Sequence, residues 1–266
     1  MYKLVAIDLD ETLLSPKKEI SQQNIDAIKR AQQAGAKVII ATGRPYFTAK
    51  KYLEQLDYDD LAIMYGGSLI IKYPSEEIIE SHPLSDEQIK KTIDFAKRNH
   101  MFIQTYDKDR ILYEKREDIF DYYAKGNAVE GYEADIYNHD YEMCLKTLII
   151  EEADKAEAVL EKARKEFDGE LAVTKSSLRY IEFNVLGISK AKALAKVAQY
   201  YGVKQEEVIA IGDNSNDESM IEYAGLGVSM GNGTEGLKKI ANYICPTNAE
   251  SGVAHVIRKF ILGEDI

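Results

Sequence analysis

Short apolar runs that alternate with amphipathic helical stretches constrain this chain more than any other feature. Lys3 to Asp8 reads as a strand, Ser21 to Gly35 as an amphipathic helix that stops at a glycine, and Lys37 to Thr42 as a second strand. That order is a βαβ unit. A helix from about Pro45 to Leu56 and a strand at Leu61 to Tyr65 continue the alternation. It returns near the end, with helix Ser189 to Tyr201, strand Val208 to Ile211, helix Asn216 to Tyr223, strand Gly227 to Met230 and a helix from about Gly252. The expected fold class is α/β, with a doubly wound parallel sheet.

Between about Leu84 and Leu186 the rhythm breaks. Helical patterns at Asp86 to Asn99 and Ala153 to Phe167 mix with alternating or aromatic strands at Phe102 to Tyr106, Cys144 to Ile150 and Leu178 to Asn184. This is the pattern of an α+β layer. A chain of 266 residues exceeds a typical single core, which leaves room for an insertion. The expectation is a Rossmann-like core of residues 1–83 and 187–266 interrupted by an α+β domain at 84–186, with hinges at His82-Pro83 and Leu186-Gly187. Closure of a mobile insertion would exclude water from one step and admit it for another.

Composition narrows the chemistry. A net charge of −11 lacks the basic surface that nucleic acid requires, so a nucleic-acid partner is not expected. Apolar stretches such as Leu145 to Ile150 are too short to span a bilayer, and Met1 runs straight into a strand; no membrane partner and a cytoplasmic location are the expectations. Cys144 and Cys245 have neither disulfide nor zinc spacing and read as buried thiols. The four histidines form no ligand cluster, so a metal here would need carboxylates.

Those carboxylates stand at strand ends. The first strand ends in Asp8-Leu9-Asp10-Glu11-Thr12-Leu13, the second in Thr42-Gly43-Arg44, and a late one in Gly212-Asp213-Asn214-Ser215-Asn216-Asp217. Ligands bind an open α/β sheet outside the carboxyl ends of its strands, so these residues are expected to converge. Lys190 adds a cation at the start of a helix. Crowded carboxylates repel, and a hard cation such as Mg²⁺ relieves the repulsion; Asp8, Asp213 and the main-chain carbonyl of Asp10 are the natural donors. A metal-held carboxylate can attack phosphorus and divide one displacement into two. The Asp10 side chain is spaced to give a proton to the leaving oxygen and later to take one from water. Thr42 Oγ, the amides of Leu9, Gly43 and Asn216, and the Lys190 ammonium can meet the charge on the phosphoryl oxygens.

At these residues the sequence resembles the haloacid dehalogenase superfamily, and within it the Cof-type phosphatases with a type IIB cap. DLDETLL fits motif I, ATGR motif II, ISK the lysine motif and GDNSNDESM motif IV, and the later GLGVSMGN agrees. The resemblance implies a Mg²⁺-dependent phosphatase of small phosphorylated metabolites, sugar phosphates among them, working through an aspartyl-phosphate. It implies that Asp8 is nucleophile and metal ligand, Asp10 acid/base and Asp213 a further ligand. Thr42, Lys190 and Asn216 would contact phosphate, and Asp217 would support the metal. The family often has Asn-Gly-Ala where this chain has Tyr65-Gly66-Gly67, and a glycine where it has Ala191. Neither departure touches the nucleophile, so both bear on specificity. Oligomeric state and preferred substrate are not legible.

Competing readings remain. A phosphotransferase or mutase of the same fold would share every core motif, and a phosphate-sensing module would have no use for Asp10. Gly231 to Gly236 matches GxGxxG, the mark of a nicotinamide oxidoreductase, but lies so near the end that a tight turn explains it better than the opening of a βαβ unit. Ser215 with Glu218 has the form of a capping box. Tyr106, Tyr113, Phe120, Tyr122 and Tyr123 are expected to pack together, and Arg44 and Arg179 could reach a substrate anion.

Overall fold

A computed structural model describes residues 2–266. The chain runs β1 (Leu4–Ile7), α1 (Gln22–Gln33), β2 (Lys37–Ala41), α2 (Tyr46–Gln55), β3 (Leu61–Met64), β4 (Leu69–Lys72), β5 (Glu77–Ser81) and α3 (Asp86–Arg98). It continues with β6 (Phe102–Asp107), β7 (Arg110–Tyr113), α4 (Asp118–Asn127), β8 (Tyr132–Glu133), β9 (Thr147–Ile150), α5 (Ala156–Glu166), β10 (Leu171–Lys175) and β11 (Tyr180–Val185). The last part is α6 (Lys190–Tyr200), β12 (Val208–Gly212), α7 (Glu218–Tyr223), β13 (Leu226–Ser229), α8 (Glu235–Ile240), β14 (Tyr243–Ile244) and α9 (Gly252–Phe260).

Two compact units share these elements: residues up to Arg44 with Ala49–Glu80 and Ser189–Ile266, and Ser81–Ile188 with Pro45–Thr48. The second thus begins three residues before the expected 84, ends two after the expected 186, and takes in one turn from the first part of the chain.

The first unit holds an eight-stranded sheet in the order β14-β13-β12-β1-β2-β3-β4-β5. Its central strands pair in parallel, with Ala6 between Ile39 and Ala210. β1, β3 and β12 are buried along their whole length, which is why they appear in the sequence as unbroken apolar runs. One face packs Leu4, Ala6, Ile39 and Ala210 against Leu194 and Val197 of α6 and Met220 of α7. On α1, Ser21 caps the start by accepting from the Asn24 amide at 3.2 Å, and Gly35 ends it at φ 89°. The antiparallel pairing of β4 onto β3 was not anticipated, because β4 follows a turn of only a few residues.

The second unit holds a six-stranded sheet, β10-β11-β9-β6-β7-β8. Ile103, Ile149 and Ile181 lie in one register row and meet Ile93, Phe95, Leu160 and Ala163 of α3 and α5. The alternate residues carry the aromatic group: the rings of Phe102, Tyr113, Phe120 and Tyr123 meet in succession at tilted angles, with Tyr180 edge-on to Tyr123 at 5.3 Å. Tyr122 does not join them; it is 58% exposed and lies beneath the Arg179 guanidinium at 4.5 Å. No helix among the described residues is long and apolar enough to cross a membrane.

Two further expectations are corrected. The capping box at the start of motif IV does not use Ser215 and Glu218; it is built one residue earlier by Asn214 and Asp217, around a 3-10 turn at Ser215–Asp217. The glycine-rich stretch after β13 does open a β-helix-β crossover, since β14 pairs in parallel with β13. The helix between them has only six residues, and side-chain positions at Gly231 and Gly233 are filled by the chain itself, by Cys245 O at 2.9 Å and Ser229 Oγ at 2.6 Å. Those glycines serve internal packing.

Candidate active site

β1, β2 and β12 are neighbours in the sheet, and the chain leaves β1 in one direction for β2 and returns much later on the other side as β12. The carboxyl edge between β1 and β12 is therefore the switch point at which α/β sheets bind ligands. Asp8 directly follows β1, Thr42 follows β2, Asp213 follows β12, and Lys190 opens α6. All four are buried.

One carboxylate oxygen from each of Asp8, Asp213 and Asp217 lies within 4.8 Å of the others. Lys190 Nζ donates to Asp8 Oδ1 and to Asp217 Oδ1, each at 2.5 Å. Asp217 Oδ2 accepts from the amides of Asp213 and Asn214 at 3.0 and 3.1 Å, and Thr12 Oγ1 donates to Asp213 Oδ1 at 2.7 Å. Lys190 thus ties Asp8 to Asp217, while Thr12 holds Asp213. Burial pushes the Asp8 carboxyl well above its ordinary range, against the pull of Lys190, with Asp217 and Asp213 adding to the rise. Burial, then the charge of Asp217, lifts Asp213 to about 7. Burial would discharge Lys190, but the charges of Asp217 and Asp8 outweigh it and hold the ammonium protonated.

The Asp10 side chain is not one of the three grouped acids. Its Oδ2 accepts from Arg44 Nε at 2.6 Å, and its Oδ1 from Arg44 Nη2 at 2.7 Å and Lys18 Nζ at 3.0 Å. Burial would raise this carboxyl, but the bonds from Arg44 and the charges of Arg44 and Lys18 bring it down to about 2. Arg44, expected to face a substrate anion, is therefore committed to Asp10. Arg179 is likewise engaged, with the Glu151 carbonyl at 3.0 Å and Glu152 at 2.7 Å. Asp217, and not the Asp10 side chain, supplies the third carboxylate of the cluster.

The residues expected to contact a phosphoryl group follow. Thr42 Oγ1 accepts from the Arg44 amide at 3.1 Å, and a side chain added at Gly43 would meet Asn216 Nδ2 at 3.9 Å, so Gly43 and Asn216 line one spot. Leu9 enters the kinked turn Leu9–Leu13, in which Glu11 takes φ 58° and the Leu9 carbonyl accepts from the Leu14 amide.

Two glycines do work that the sequence did not disclose. A Cβ at Gly67, already at φ 112°, would lie 2.5 Å from the Ser189 carbonyl, so the Tyr65-Gly66-Gly67 loop fits directly under the start of α6 and sets where Lys190 emerges. A Cβ at Gly212 would lie 2.5 Å from the Cβ of Asp217. Gly212→Ala should therefore displace Asp217 from its two amide donors and lower stability by about 1–3 kcal/mol in denaturant unfolding; an unchanged midpoint would show that Asp217 has room to move. Thr12 was also missed, although a hydroxyl two residues beyond the second acid of motif I was the available signal.

The family model described as haloacid dehalogenase-like hydrolase matches residues 5–257. Over 260 residues the chain is 36% identical to 5-amino-6-(5-phospho-D-ribitylamino)uracil phosphatase YcsE of Bacillus subtilis (strain 168), covering 98% of this chain and 96% of that protein. It is 27% identical over 277 residues to pyridoxal phosphate phosphatase YbhA of Escherichia coli (strain K12), covering 98% and 99%. A solved structure of a haloacid dehalogenase-like hydrolase from Bacteroides thetaiotaomicron superimposes with a TM-score of 0.89 at 35% identity, covering 97% of this chain and 99% of that one. The doubly wound sheet, its acidic carboxyl edge and a match along almost the whole chain have one common explanation: the protein belongs to the haloacid dehalogenase-like hydrolases, among relatives that are phosphatases.

Proposed function

We propose that the protein is a Mg²⁺-dependent phosphatase of small phosphorylated metabolites, sugar and polyol phosphates foremost, acting through an aspartyl-phosphate on Asp8. The observation that carries this reading is the buried cluster of Asp8, Asp213 and Asp217 joined through Lys190. Residues 1–83 and 187–266 are read as the catalytic core and 84–186 as an inserted cap. A relative named for a phosphoribitylamino substrate supports a phosphorylated polyol as the substrate type.

An all-oxygen set of buried acids, two of them held above their ordinary range, fits a hard divalent cation. Asp8, Asp213 and the Asp10 carbonyl would hold it, with Asp217 in support. When bound, the ion neutralises the carboxylates and polarises the phosphoryl oxygens. The remaining work belongs to the chain. An Asp8 oxygen attacks phosphorus as the bond to the leaving oxygen breaks, and that oxygen takes a proton from Asp10. Water, deprotonated by Asp10, then attacks phosphorus, the bond from phosphorus to the Asp8 oxygen breaks, and inorganic phosphate leaves with the Asp8 carboxylate restored. Lys190, Thr42 Oγ and the amides of Leu9, Gly43 and Asn216 meet the equatorial oxygens.

The shifted acids give this reading a pH signature. Asp213 binds a proton more tightly in the fold than in the unfolded chain, so its contribution to stability is complete below the unfolded value of 3.8 and is lost as pH rises through about 7. Magnesium binding should therefore release protons near neutral pH and raise the unfolding temperature more at about pH 8 than at about pH 5. Calorimetry in buffers of differing ionisation enthalpy reads the first effect, and a pH-independent magnesium shift would contradict it.

The function itself is tested by a screen of sugar phosphates, polyol phosphates, nucleotides and an aryl phosphate, with magnesium or with EDTA. Magnesium-dependent release of inorganic phosphate is expected. Passage of the phosphoryl group to an acceptor sugar in place of water would identify a phosphotransferase.

A further inference from the structure

Lys18 is a charged residue at the site that the reaction described above leaves without a role. It lies in the loop between the Leu9–Leu13 turn and α1, closed by the Leu14 to Ile20 bridge and by the Lys18 amide donating to the Ser15 carbonyl at 2.8 Å. Its backbone takes φ 60°, so the loop turns sharply at this residue. The ammonium is brought to Asp10 Oδ1 at 3.0 Å, an oxygen that already accepts from Arg44. With Arg44 Nε on Oδ2, both oxygens of Asp10 are held by cations, and its side chain is not one of the three acids that group at Asp8, Asp213 and Asp217. A carboxyl group held in this way cannot hand a proton to a leaving group. It must first leave the pair.

We propose that Lys18 is a positioning residue, the outer half of a latch that with Arg44 keeps Asp10 off the reacting atoms in the resting enzyme and yields it during turnover. This rests on the reading of the chain as an aspartyl-phosphate phosphatase. In that reaction the Asp8 oxygen bonds to phosphorus, the ester P–O bond breaks, and the alcohol oxygen takes a proton from Asp10, which gains that proton from solvent water once it has left the two cations. Arg44 is the fixed half, its side chain 11% exposed and its guanidinium bidentate on the carboxylate. Lys18 is the loose half: its side chain is 49% exposed and ends in a point charge on a flexible stem. Removing the loose half weakens the hold without dismantling the inner pair. The consequence depends on the leaving group, because an alkoxide must be protonated as it departs whereas a nitrophenolate departs as the anion.

The test compares kcat/KM of the full chain with magnesium on an alkyl phosphate and on para-nitrophenyl phosphate, for wild type, Lys18→Met and Lys18→Arg. Lys18→Met should raise the alkyl value about two- to fivefold, the span expected of one exposed ion pair, and leave the aryl value in place. Lys18→Arg should restore wild-type behaviour on both. A fall in the alkyl value, or equal changes on both esters, overturns the latch. A merely structural role for Lys18 would move both esters together. Wild-type hydrolysis of neither ester overturns the phosphatase reading itself, whereas hydrolysis that Lys18→Met leaves unchanged on both overturns the latch alone.

Discussion

Asp8→Asn should reduce phosphate release by at least about 10⁴-fold while leaving the chain folded. An amide in place of the carboxylate cannot bond to phosphorus as a nucleophile, and no other acid of the cluster can replace it. Asp217 is spent on two backbone amides and Lys190, and Asp213 is tied to Thr12. The fold should tolerate the change for an electrostatic reason. Burial and three neighbouring acids already oppose the Asp8 charge, so losing it removes repulsion, and Lys190 keeps Asp217 as a partner. Steady-state rates beside circular dichroism separate the two effects. Retention of more than about one hundredth of the wild-type rate would exclude Asp8 as the nucleophile.

Lys190→Met should have the second largest effect, on stability and rate together. It removes a side-chain cation that hydrogen-bonds to both Asp8 and Asp217 while leaving three buried acids in place. Stripping one partner from a buried ion pair typically costs about 3–5 kcal/mol, because the remaining charge has neither water nor partner. The metal-free variant should lose that much in denaturant unfolding, and magnesium should return part of it by neutralising the same acids. The rate should fall about 10²- to 10³-fold even with saturating metal, since one donor to the phosphoryl oxygens is gone. Wild-type stability without metal would mean that the three acids are not ionised around Lys190.

What was legible in the sequence follows from how the chain buries its backbone. Parallel strands covered on both faces appear as unbroken apolar runs, so β1, β2, β3 and β12 were readable, and the polar residues just beyond them marked the carboxyl edge. Placement of Asp8, Thr42 and Asp213 at one edge needed only that alternation. Contacts between segments distant in sequence were not readable. Thr12 meets Asp213 across 201 positions, and Arg44 meets Asp10 across 34. Nothing local to Arg44 distinguishes an arginine that seizes a carboxylate from one that faces solvent. The steric roles of Gly67 and Gly212 are of the same kind, since each is defined by the atom that a side chain would strike. Short strands such as β8 and β14, two residues each, carry too little periodicity to be seen, and β14 is what turned the glycine-rich stretch into a crossover.

A covalent bond between Asp8 and phosphorus is the central step, and that bond can be weighed. The protein is mixed rapidly with a phosphate ester and magnesium, quenched in acid, where acyl phosphates persist, and its intact mass is read before peptide mapping. One added phosphoryl group is expected, carried by the peptide that contains Asp8 and absent from Asp8→Asn. Turnover that proceeds with no phosphorylated protein at any quench time, or an adduct on another residue, would contradict it.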